Sequence, residues 1–154
     1  MSLRFVLTFP LLLASAALLP AEAPPASSAE VAQEHATVAE KFCNERLAVW
    51  QKRLKLEDWN LKVRLVHTPE LKPKTLGNLH WDHPAKTALI RVLAMADYKL
   101  PYAAALQDME FTVVHELVHL QLSDLPRSDA SRGAEERAVN RITDSLLSLA
   151  KDLK

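Results

Sequence analysis

The residues best placed to do chemistry are His115, Glu116 and His119, which spell His-Glu-x-x-His inside the apolar run 113–120. Residues four apart on an α-helix sit one above the other, so the two imidazoles can aim at a single point. Two neutral imidazoles converging in this way supply half of a tetrahedral zinc site. Glu116 lies beside the ligand row, where a carboxylate could take a proton from a water polarised by the metal. Phe111, Val114, Leu117, Val118, Leu120 and Leu122 surround the polar triplet with apolar bulk. Burying two His and a Glu among them carries a desolvation cost that a metal would offset.

Other elements must hold such a helix in place. Residues 29–55 contain no Gly or Pro, and Val31, Val38, Phe42, Leu47, Val49, Trp50 and Leu54 recur near helical spacing. This predicts one long helix with Ser28 as its N-cap. The period then changes: 59–66 alternates apolar and polar residues as a half-buried strand does. A Pro-containing loop follows, then candidate strands at 75–81 and 87–93 joined by the turn-like 82–86. The expected sheet is small, about three-stranded and antiparallel. Pro101 marks the start of the motif helix near 102–106, which runs to Leu122 or Ser123. The polar stretch 124–133, with Pro126 and Gly133, reads as a turn. Residues 134–153 read as a last helix striped by Val139, Ile142, Leu146, Leu149 and Leu153. The fold class is therefore α+β.

Several other residues could contribute chemistry but have simpler readings. His80 and His83 flank a turn near the expected cleft and could pair on a metal or stabilise an oxyanion; a polar hairpin accounts for both. Tyr98 and Tyr102 precede the motif helix and are possible oxyanion donors. Cys43, the only cysteine, sits in a helical pattern and reads as a small core residue, so no internal disulfide is available. Trp50 reads as core, and His35 as a surface residue.

The series His115-Glu116-Leu117-Val118-His119, a short turn, then Glu136-Arg137-Ala138-Val139-Asn140 resembles the gluzincin pattern of zinc metallopeptidases, and in its compactness the minigluzincins. The Glu-x-x-x-Asn arrangement also looks like that of peptidases which cleave phage immunity repressors. The resemblance implies that a Glu on the following helix completes the zinc site and that an Asn one turn later supports it. It also implies that a long helix and a small sheet back the motif helix, with an edge strand lining the cleft. Two glutamates compete for the ligand role. Neighbouring helical positions point about 100° apart, so Glu135 and Glu136 cannot serve alike. The apolar stripe extrapolates backwards through Glu135, whereas Glu136 lies on its flank with Asn140 one turn further on. Glu136 is the expected ligand, Glu135 the alternative, and Glu135 is expected to have no supporting role.

Composition bounds the rest. A chain of 154 residues makes one domain, and 19 Lys plus Arg against 19 Asp plus Glu leaves no electrostatic case for a nucleic-acid partner. Arg4 followed by an apolar run from Phe5 to Leu19, then Ala21-Glu22-Ala23, resembles a signal peptide too short to span a bilayer. The expected organisation is a leader at 1–23, a linker at 24–29 and a zincin-like domain at 30–154. Such a chain would be exported, periplasmic or secreted, with no stable membrane insertion after leader removal. The expected activity is zinc-dependent hydrolysis of a peptide or protein. The alternatives are a non-catalytic module stabilised by zinc and a metal-free scaffold or inhibitor. A purely structural zinc site has no need of a base at Glu116, and its presence favours the enzyme.

Overall fold

The computed structural model describes residues 27–126 and 128–152; the expected leader and the first half of the expected linker lie outside them. Helix α1 spans Ser28–Arg53 and takes in the last two residues of that linker. Its cap is Ser27, one residue earlier than expected. Ser27 and Glu30 form a reciprocal capping box, with Glu30 N donating to Ser27 Oγ and Ser27 N donating to Glu30 Oε2. At the other end Lys55 adopts φ 57°, and the amides of Lys55 and Leu56 reach back to the carbonyls of Lys52 and Gln51. This is a Schellman closure with a lysine where glycine is usual, and Leu56 buries itself beneath it.

Strands β1 (Asn60–Val66), β2 (Gly77–Asp82) and β3 (Thr87–Leu93) form one sheet in the order β1-β3-β2. β2 and β3 are an antiparallel hairpin, as the turn chemistry of 82–86 leads one to expect; Ala85 N donates to Asp82 Oδ1. β1, however, runs parallel to β3, with Asn60 opposite Thr87 and Val66 opposite Leu93. The sheet is mixed, not antiparallel. The connection between β1 and β2 is long enough to carry the chain past β3 to the far edge, so β2 enters from the other side. β3 is central and β2 is an edge.

Helix α2 (Tyr102–Gln121) starts directly after Pro101, as expected. Ala88, Ile90 and Val92 from β3 join Cys43, Leu47 and Trp50 of α1 and Met109, Val113, Val114 and Leu117 of α2 in one core. Trp50 Nε1 donates to Glu110 Oε1 at 2.9 Å, tying α1 to α2. Burial pushes the Cys43 thiol up to about 12, so it stays protonated in the core.

Helix α3 spans Asp129–Asp152 and packs on α2. It begins five residues before the expected start at 134, inside the stretch expected to be a turn. Ser128 supplies the cap, its Oγ accepting from Ser131 N at 3.1 Å, and Gly133 is carried inside the helix. Among the described residues no helix is long and apolar enough to cross a membrane.

Candidate metal centre

α2 faces the sheet with its apolar residues and presents its polar triplet at the border of that face, between edge strand β2 and α3. β2 can come this close because residue 77 is glycine. A Cβ there would lie 2.4 Å from Thr112 Cγ2, 2.7 Å from the Arg91 carbonyl and 3.5 Å from Glu116 Oε1. β2, α2 and the first turns of α3 together enclose a cleft of about 840 Å³, whose lining includes Gly77, Asn78, Trp81, His115, Glu116, His119, Glu135, Glu136 and Asn140.

His115 Nε2 and His119 Nε2 lie 3.1 Å apart, and both rings are largely buried. Glu136 reaches both, with Oε2 3.5 Å from His115 Nε2 and Oε1 3.3 Å from His119 Nε2. One donor atom from each of the three residues lies within 4.8 Å of the others. Tetrahedral ligands about 2.0–2.1 Å from a zinc ion stand roughly 3.3–3.4 Å from one another. The individual separations of 3.1, 3.3 and 3.5 Å lie near that value, the last two made by different oxygens of the Glu136 carboxylate. Two imidazole lone pairs brought so close repel each other unless a proton or a cation lies between them, so the donor set suits a zinc ion.

Glu135, expected to play no supporting part, does so. Its Oε1 lies 3.1 Å from His119 Nδ1. An ionised carboxylate only accepts, so this contact suits the tautomer with its proton on Nδ1, which turns the Nε2 lone pair toward Glu136 and His115. Because α3 begins at Asp129, Glu135 and Glu136 both occupy regular helical positions past the first turn and diverge onto the two nitrogens of one imidazole. Asn140 lies one turn beyond Glu136 and approaches His115, favouring its charged form, although His115 Nδ1 itself makes no well-formed hydrogen bond. Burial and the neighbouring His119 outweigh Asn140 and Glu136 and hold the His115 pKa below its ordinary value. The neutral ring is the one that can ligate.

Glu116 is 8% exposed, and its carboxyl is raised to about 7, first by burial and then by the charge of Glu136. A carboxylate with a pKa near neutrality, at the wall of a cleft and beside three potential ligands, is chemically poised to accept and return a proton.

The other sequence candidates lie elsewhere. His80 turns to the opposite face of the sheet, against Arg91. His83 Nε2 sits 2.8 Å from Ser123 Oγ and joins the hairpin to the end of α2. Tyr102 stacks on His35 at 4.0 Å, and Tyr98 is half-buried with its hydroxyl toward Asp108. None of these four lines the cleft. Sequence reasoning did not single out the loop before β2, whose Lys72 and Lys74 line the cleft, nor Asn78 and Arg132. The only sequence signal was the placement of Gly77, one of two glycines in the chain, at a strand start. No protein-family model, curated protein or solved structure matches the chain.

Proposed function

We propose that this cleft is the active site of a zinc-dependent peptidase of gluzincin type, with His115, His119 and Glu136 as ligands and Glu116 as general base. The observation that carries the reading is the convergence of two imidazole Nε2 atoms and one carboxylate, with a buried glutamate of raised pKa beside them. A bound zinc ion would supply Lewis acidity, polarising a water and the scissile carbonyl. Glu116 would accept the proton of the attacking water and return it to the departing amine. Its burial excludes bulk water, so the proton passes between the reacting groups. Glu135 would hold the His119 ring in its ligating tautomer, and Asn140 would steady His115. The cleft is open along β2, which suits an extended peptide chain, and the apolar leader suggests that the enzyme works outside the cytoplasm.

The experiment is zinc analysis of protein purified without added metal, alongside two neighbouring substitutions. Wild type should carry about one zinc per chain. Glu136→Ala should lose most of it, while Glu135→Ala should weaken binding by about 10- to 100-fold, as loss of a ligand's supporting partner does. A protein that binds no zinc, or that keeps it equally well in Glu136→Ala, would remove the proposal's basis.

A further inference from the structure

The charged side chains lining the cleft divide by place. Glu116 is buried and Glu135 partly buried, while Glu136 is about half exposed and has its carboxylate beside the two imidazoles. Lys72, Lys74 and Arg132 are exposed and stand on the rim. The whole chain carries no net charge, so a rim of one sign is a local feature.

Lys72 and Lys74 belong to the connection that leads into β2, and that connection is built. Leu71 is buried at one end, and Leu93 N donates to the Leu76 carbonyl at the other. Between them Thr75 donates to the Lys72 carbonyl from both its amide, at 3.1 Å, and its hydroxyl, at 2.8 Å. Pro73 stiffens the turn, and Lys74 completes it at φ 66°. Among the described residues neither lysine is ion-paired. Two unpaired ammonium groups are therefore carried on a fixed loop at the upstream end of the strand that walls the cleft.

We infer that the substrate is a carboxylate-bearing peptide, and that Lys72 and Lys74 are the residues that select it. This rests on the peptidase reading and gives that site a substrate class. The carboxylates could be acidic side chains near the scissile bond or the α-carboxylate of a chain end; either would be attracted to the lysine loop. A lysine-rich peptide would be repelled by it.

The test is fluorescence anisotropy on the zinc-supplemented protein. The probes are labelled peptides of alanine background carrying two Glu, two Lys or neither, each with a free or an amidated C-terminus. An unscreened contact between single charges at about 4 Å in water is worth roughly fivefold in affinity. The amidated Glu peptide should therefore bind at least about fivefold tighter than the neutral one, and the Lys peptide weakest. The margin should shrink as salt rises from about 0.02 to 0.5 M, where the screening length falls to a few ångströms. The double variant Lys72→Glu with Lys74→Glu should reverse the order while its zinc content and melting temperature hold. If only free-terminus peptides gain, the group recognised is the chain end, and the inference stands with that source. Equal or undetectable binding of all the probes, or an acidic preference that survives in the double variant, overturns it. Hydrolysis is scored separately: acidic peptides bound selectively but left uncut would count against the peptidase reading and not against the lysine loop.

Discussion

Gly77→Ala isolates the contact that holds the edge strand against the motif helix. Gly77 has no positive φ, so alanine suits its backbone and the cost is steric alone. The new Cβ would lie 2.4 Å from Thr112 Cγ2 and 2.7 Å from the Arg91 carbonyl, each about 1 Å or more inside ordinary contact. Thr112 is only 5% exposed and the carbonyl belongs to central strand β3, so neither can move aside cheaply. Overpacking of this kind costs about 1–3 kcal/mol. Replacing glycine recovers about 0.4–1 kcal/mol by restricting the unfolded chain. A net loss of about 1 kcal/mol is expected, read as a shift of the urea midpoint at fixed zinc concentration with unchanged slope. Thr112→Ser deletes the Cγ2 atom but leaves the carbonyl clash. The pair should therefore be non-additive by about 1 kcal/mol in the direction of rescue. A Gly77→Ala protein within about 0.5 kcal/mol of wild type, or strict additivity with Thr112→Ser, would refute the close packing of β2 on α2.

Gly133 lies inside α3, and a Cβ there would meet only Arg137 Nη1 at 3.6 Å. Gly133→Ala should stabilise the protein by up to about 1 kcal/mol, seen as a higher urea midpoint; destabilisation would show that residues 129–133 are not helical. In metal-free protein Glu116 titrates near 7 against an ordinary 4.5, so its folded-state pKa is raised. Below 4.5 both states bind the proton, and as pH rises towards 7 the unfolded state releases it first. Folding therefore weakens progressively across that window, by roughly 3 kcal/mol in all. Melting of the chelator-treated protein should fall from pH 4.5 to 7.5 relative to Glu116→Gln, and parallel curves for the two proteins would contradict the burial of this carboxyl.

The parts legible in the sequence were those governed by local periodicity. The motif helix was placed by its apolar flanks and Pro101, and α1 by an uninterrupted stripe. The parallel pairing of β1 with β3 was not legible, because alternation sets a strand's faces and not its neighbours. The start of α3 was missed because the polar stretch after the breaker Pro126 was read as a turn as far as Gly133, so the cap at Ser128 looked like part of a loop. For Glu135 the helical wheel pointed inward, but only the position of α2 shows that inward means His119 Nδ1. Lys72 and Lys74 reach the cleft through the path of the chain from β1 to the far edge of the sheet, which depends on tertiary structure alone.

The most direct test of the central claim is the hydrolysis rate and zinc content of Glu116→Gln beside wild type, using an unbiased set of fluorogenic peptides. Glutamine keeps the shape of Glu116 but cannot accept a proton. Zinc occupancy should be unchanged, since the proposed ligands are His115, His119 and Glu136, while turnover should fall by at least about 10²- to 10⁴-fold. Wild-type turnover in Glu116→Gln with zinc in place, or no peptide cleavage by zinc-loaded wild type, would contradict the account.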